Sequence, residues 1–114
     1  MAKRDVLEQT AREYFSSAQD ELGKKRFNSA VVLFFKALVA VADLYILLNT
    51  GKAPSSHTGR FKMTKERFPE VYDLLDKDFP FYQDSYVQLM SQETAEVIRD
   101  DTKALAGKIK LKLQ

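Results

Sequence analysis

Residues 30–48 read A-V-V-L-F-F-K-A-L-V-A-V-A-D-L-Y-I-L-L, an apolar run in which Lys36 and Asp43 are the only charges. That length is enough to cross a bilayer as a helix. Two charges close to its middle are expensive in hydrocarbon, however, and its flanks lack the Lys/Arg asymmetry of a membrane span. The run therefore reads as a helix buried on all sides by other helices. No membrane association is expected. The rest of the chain has to supply the covering elements, and 114 residues allow one domain, residues 1–114, to do so.

Hydrophobic periodicity supplies those elements as helices, with no alternating strand pattern of any length. Leu7, Ala11, Phe15, Ala18 and Leu22 recur every three or four residues and predict a first helix over about 5–25. Asn28 is a good N-cap for the central apolar helix, 28–49, which Asn49, Thr50 and Gly51 stop. A loop over 52–64 follows. Thr64 then caps a third helix carrying Phe68, Val71, Tyr72 and Leu75. Pro80 separates it from a short fourth helix with Phe81, Tyr82, Tyr86, Leu89 and Met90. Ser91 caps the last helix, whose stripe is Val97, Ile98, Thr102, Leu105 and Ile109. The expected fold is an all-α, antiparallel four- to five-helix bundle.

A central helix with phenylalanine and valine on every side presents more apolar surface than a domain of this size readily covers. A two-fold homodimer is the default remedy, with Val31, Phe34, Phe35 and Leu38 at its interface.

Composition then removes whole classes of chemistry. The chain has no cysteine and a single histidine, His57, which excludes disulfide frameworks, thiol catalysis and zinc fingers. No metal or cofactor is expected. A net charge of +2, from 18 basic and 16 acidic residues, gives no broad field for gripping nucleic acid. The N-terminus alternates charges of both signs without an apolar leader core, so a cytoplasmic location is expected. Within the near-neutral total, residues 52–70 are mostly basic, 71–101 mostly acidic, and the tail is lysine-rich. Such blocks are solvated helix faces or, around the basic stretch, a phosphate or RNA contact aided by a helix N-terminus near Thr64.

The candidate site residues are Lys36, His57, Arg60 and Lys62. His57 lies in S-S-H-T-G-R, with no strand-turn-helix elbow to present Ser55 or Ser56 as a nucleophile, so a hydrolase triad does not fit. Arg60 is three residues on, and the two together suit a phosphate. They are also the minimal pair for metal-free RNA cleavage, the histidine moving protons and the arginine neutralising the phosphorane. The competing role for His57 is to pin a loop or helix end. Lys36 and Asp43 stand seven residues apart on one helix face, either paired with neighbouring helices or lining a polar groove.

The order of F-N-S-A-V-V-L-F-F-K-A-L at 27–38, H-T-G-R-F at 57–61, F-P-E-V-Y at 68–72, S-Y-V at 85–87 and S-Q-E-T-A at 91–95 resembles the HEPN family. The name stands for higher eukaryotes and prokaryotes nucleotide-binding, and the likeness is to its small stand-alone prokaryotic form. The resemblance covers nearly the whole chain and rests on the order of loose motifs. It implies an antiparallel helical bundle, commonly a homodimer, often the partner of a minimal nucleotidyltransferase or one half of a toxin–antitoxin pair. Other members are metal-independent ribonucleases, which resemble one another in an Arg-x4–6-His motif. Here residues 51–56 hold no arginine before His57, and no histidine follows Arg99. The ribonuclease motif is absent. The expectation is a non-catalytic nucleotide-binding or partner subunit, with an atypical ribonuclease using His57 and Arg60 as the alternative.

Overall fold

A computed structural model describes all 114 residues as five helices without a strand. They are α1 (Lys3–Gly23), α2 (Phe27–Thr50), α3 (His57–Arg67), α4 (Pro69–Asp84) and α5 (Gln92–Lys108). The all-α bundle expected from periodicity is the fold.

The apolar run becomes α2, which lies at the centre against α1, α4 and α5. Alanines make the close approach possible: Ala11 and Ala18 of α1 and Ala30 and Ala37 of α2 are all fully buried. Phe15 and Phe34 fill the space between these small residues, ring edge to ring face at 5.4 Å. From α5, Ile98 and Leu105 reach the same core, and the buried Thr102 hydroxyl donates back to the Ile98 carbonyl at 2.7 Å. A hydroxyl satisfied within its own helix can lie on an apolar stripe at little cost. Val31, Phe34, Phe35 and Leu38, expected at a dimer interface, are at most 4% exposed within a single chain. They are core residues, because three helices of the chain's own bundle cover the surface that seemed to require a second copy.

The local expectations for Asn28, Thr64 and Pro80 are also corrected. Asn28 lies inside α2 rather than capping it, since the helix starts at Phe27. Thr64 is fully buried in the middle of α3, its hydroxyl donating to the Arg60 carbonyl at 2.9 Å. The cap is Ser56, whose Oγ accepts the Gly59 N–H at 3.0 Å, so α3 begins at His57 and the basic stretch is mostly helix. Pro69 occupies the first turn of α4, where its missing N–H costs nothing. Pro80 sits within α4 and does not end it: its ring faces solvent, and Phe79, Phe81 and Tyr82 around it pack on the core.

The fourth short helix is replaced by an irregular connection over 85–91. The Asn28 amide donates to the Ser85 and Gln88 carbonyls, both at 2.9 Å, and its Oδ1 accepts the Met90 N–H at 2.9 Å. One side chain thus satisfies three backbone groups that a helix would have paired internally. Ser91 caps α5 as expected, accepting the Thr94 N–H at 3.1 Å. Gly51 ends α2 in the left-handed conformation, φ 82°, donating to the Leu47 carbonyl at 2.8 Å. At the C-terminus Leu113 is buried, and Arg12 Nε donates to the Lys112 carbonyl at 2.8 Å, so the tail docks on α1.

Candidate functional site

Between α1, the middle of α2, the start of α3 and the end of α4 lies an open cleft of about 320 Å³. Leu7, Thr10 and Tyr14 come from α1, Phe35, Lys36, Val39, Ala40 and Asp43 from α2, His57 from α3, and Phe79 and Tyr82 from α4. The helical repeat explains the α2 set: positions 36, 39, 40 and 43 form one stripe, the side of the helix that the bundle leaves partly open.

One wall of the cleft is aromatic. Phe35 stacks on Tyr82 with ring centres 4.9 Å apart and lies 5.9 Å from Phe79. His57 packs its ring 4.6 Å from both Phe61 and Phe79. The Tyr82 hydroxyl lies 2.9 Å from that of Tyr86, and this bond raises the Tyr86 phenol above its usual range. Lys36 stands at the edge, exposed, with Nζ 5.9 Å from the Tyr82 ring centre and no carboxylate in ion-pair range.

Asp43 is the floor of the cleft and is committed to Arg60. Arg60 Nε donates to Oδ1 at 2.6 Å and Nη2 to Oδ2 at 2.9 Å, a forked pair whose side chains are 13% and 11% exposed. The structure thus brings Lys36, His57 and Arg60 to one region but gives them different duties. Arg60 is spent on Asp43 and presents no free charge, which takes away the joint phosphate grip expected from His57 and Arg60. His57 is held by ring contacts, so it lacks the carboxylate that would orient a general base. Lys62 is exposed on α3 and does not line the cleft. Phe61 and Phe68 pack inward against the core.

Two features escaped the reading of the chain. Thr10 and Tyr14 belong to the cleft only because α1 crosses α2 there, and no local signal announces that. Asp78 was legible: with Val71 and Leu75 it falls at 71, 75 and 78, one apolar stripe of α4, and it is fully buried. No hydrogen-bond donor reaches either of its oxygens. Its carboxyl is pushed up to about 8, first by burial and then by Asp101, whose own carboxylate is paired to Lys77 Nζ at 2.8 Å. It lies away from the cleft lining and serves the α4–α5 seam.

The chain matches no protein-family model and no curated protein.

Proposed function

We propose that this protein is a non-catalytic, HEPN-like binding subunit that holds a nucleotide in the aromatic cleft. In this reading it works beside a minimal nucleotidyltransferase, in a substrate-binding or toxin–antitoxin role. The observation that carries the binding part is the pairing of an aromatic cluster, Phe35, Phe79 and Tyr82, lining the cleft with the unpaired Lys36 at its edge. A nucleobase stacks on such rings, and a phosphate meets the ammonium. Polar groups at the opposite side, Thr10 and Tyr14, offer hydroxyls to the base or sugar. The volume is at the small end for ligand sites, and only one cation lining it is unpaired. Both favour a monophosphate over a triphosphate. The commitment of Arg60 to Asp43 supports binding without catalysis, because no second group is left to neutralise a phosphorane.

Titration calorimetry of the whole chain with adenosine monophosphate, adenosine triphosphate and guanosine monophosphate tests this. A monophosphate is expected to bind at least as tightly as the triphosphate. Lys36→Ala should weaken it roughly tenfold, as loss of one charge-assisted contact does. Absence of binding by every nucleotide would overturn the reading. RNA cleavage by the wild-type chain that vanishes in His57→Ala would replace it with the ribonuclease.

A further inference from the structure

The end of the bundle where α1 turns into α2 also carries the connection between α4 and α5, because Asn28 ties residues 85, 88 and 90 to it. That end exposes apolar side chains on a backbone held by three hydrogen bonds: Leu89 is 92% exposed, Val87 82% and Tyr86 72%. Most exposed leucines are isolated and mean nothing. Leu89 is not isolated: with Met90 it borders a groove of about 450 Å³ that has Lys25, Arg26, Phe27 and Ser29 on its other wall. A second depression beside Val32 and Leu33 shares Asn28 and Ser29 with it and extends the apolar track along α2.

Lys25 adds a backbone observation. Its φ is +61°, a conformation that glycine or asparagine adopts at less cost than lysine. A lysine there is less favourable than glycine, and it sets an ammonium beside the groove. Arg26 is largely exposed as well, with only a 3.7 Å contact to Glu21. The groove therefore joins an apolar lip to a basic wall.

We infer that this groove docks an acidic, amphipathic segment of a partner protein. Its apolar side chains cover Leu89, Val32 and Leu33, and its carboxylates meet Lys25 and Arg26. Charge complementarity selects this occupant. A second copy related by a two-fold axis would set this surface against itself, and its lining holds Lys25 and Arg26 but no carboxylate to pair with them. A bilayer would lie across the opening and leave the concave track unfilled. None of these residues lines the aromatic cleft, so docking and nucleotide binding stand or fall separately.

The test uses the full, isotope-labelled chain and two synthetic amphipathic helical peptides, one with leucine and glutamate faces, the other with lysine replacing every glutamate. The acidic peptide is expected to shift the backbone amides of residues 24–33 and 85–90. Lys25→Glu with Arg26→Glu should weaken it roughly tenfold, and Leu89→Ser likewise, with thermal stability and nucleotide binding unchanged. Leu89 makes almost no internal contact, so that variant folds. Equal binding of both peptides, or shifts confined to other surfaces, overturns the inference. So does sedimentation with phosphatidylglycerol–phosphatidylcholine vesicles without peptide binding, which assigns the surface to a membrane. A dimer by light scattering that dissociates on Leu89→Ser assigns it instead to a second copy.

Discussion

Arg60 and Asp43, seventeen residues apart in sequence, close on each other through two parallel hydrogen bonds at the base of the aromatic cleft. The pair joins the first turn of α3 to the middle of α2, where otherwise apolar neighbours surround the carboxylate. It explains how the core helix tolerates an acid and why the arginine offers nothing to a ligand. Removing one partner strands the other, which costs far more than the pair contributes as a whole. Arg60→Met is therefore expected to destabilise the fold by about 3 kcal/mol in urea unfolding, whereas Asp43→Leu combined with Arg60→Met should recover most of that loss. Equal destabilisation by the single and double variants would contradict this account.

Asp78 makes stability depend on pH. Its folded-state value of about 8 lies above the ordinary 3.8, so the folded chain binds the proton more tightly than the unfolded chain. The stabilisation is fully present below pH 3.8 and is lost as the pH rises through about 8. Within that window the slope is at most ~1.4 kcal/mol per pH unit. Protonated, Asp78 can donate to Asp101, which Lys77 holds in place. Asp78→Asn supplies a donor at every pH. It should flatten the decline of melting temperature between pH 5.5 and 8, within the interval from 3.8 to about 8 over which Asp78 binds its proton only in the folded state. An unchanged slope in this variant would assign the pH dependence elsewhere.

These two acids mark the limits of what the chain discloses before it folds. The central helix was readable because its composition admits few alternatives, and Ser91 and Gly51 acted as end signals by local chemistry alone. The partner of Asp43 was not readable, since the demand for a cation is local but its supplier is set by where α3 lands. Pro80 misled for the opposite reason. Its local preference to break a helix is real, yet packing of Phe79, Phe81 and Tyr82 outweighs the one lost backbone bond. The placing of Val31, Phe34, Phe35 and Leu38 at an interface failed on area: how much of α2 its neighbours cover depends on the alanines that let α1 approach. Lys36 and His57 do share a cleft, but nothing local showed that Tyr14 of α1 closes it.

Asn28 is expected to control the order of the 85–91 connection. Asn28→Ala removes a donor and an acceptor that together satisfy three backbone groups. A loss of about 2 kcal/mol follows if these groups are only partly rehydrated. Hydrogen exchange should accelerate at the Met90 amide, whose acceptor is the Asn28 side chain, while the amides in the middle of α2 keep their protection. Protection at Met90 unaffected by the substitution would show that the connection is held by its own turns.

The two serine caps provide a paired comparison. Ser56 and Ser91 each accept one first-turn N–H, at 3.0 and 3.1 Å. Either replacement by alanine should cost ~1 kcal/mol. Their consequences for ligand binding should differ, however, because Ser56 sets the start of α3 and so the position of His57 on Phe79, whereas Ser91 caps α5, which contributes no residue to the cleft. Ser56→Ala is expected to weaken nucleotide binding several-fold by loosening one edge of the cleft, and Ser91→Ala to leave it unchanged at equal loss of stability. Calorimetry on both variants, well below their melting temperatures, separates the effects. Equal weakening by both would mean that global stability, rather than the placement of the first turn of α3, governs the cleft.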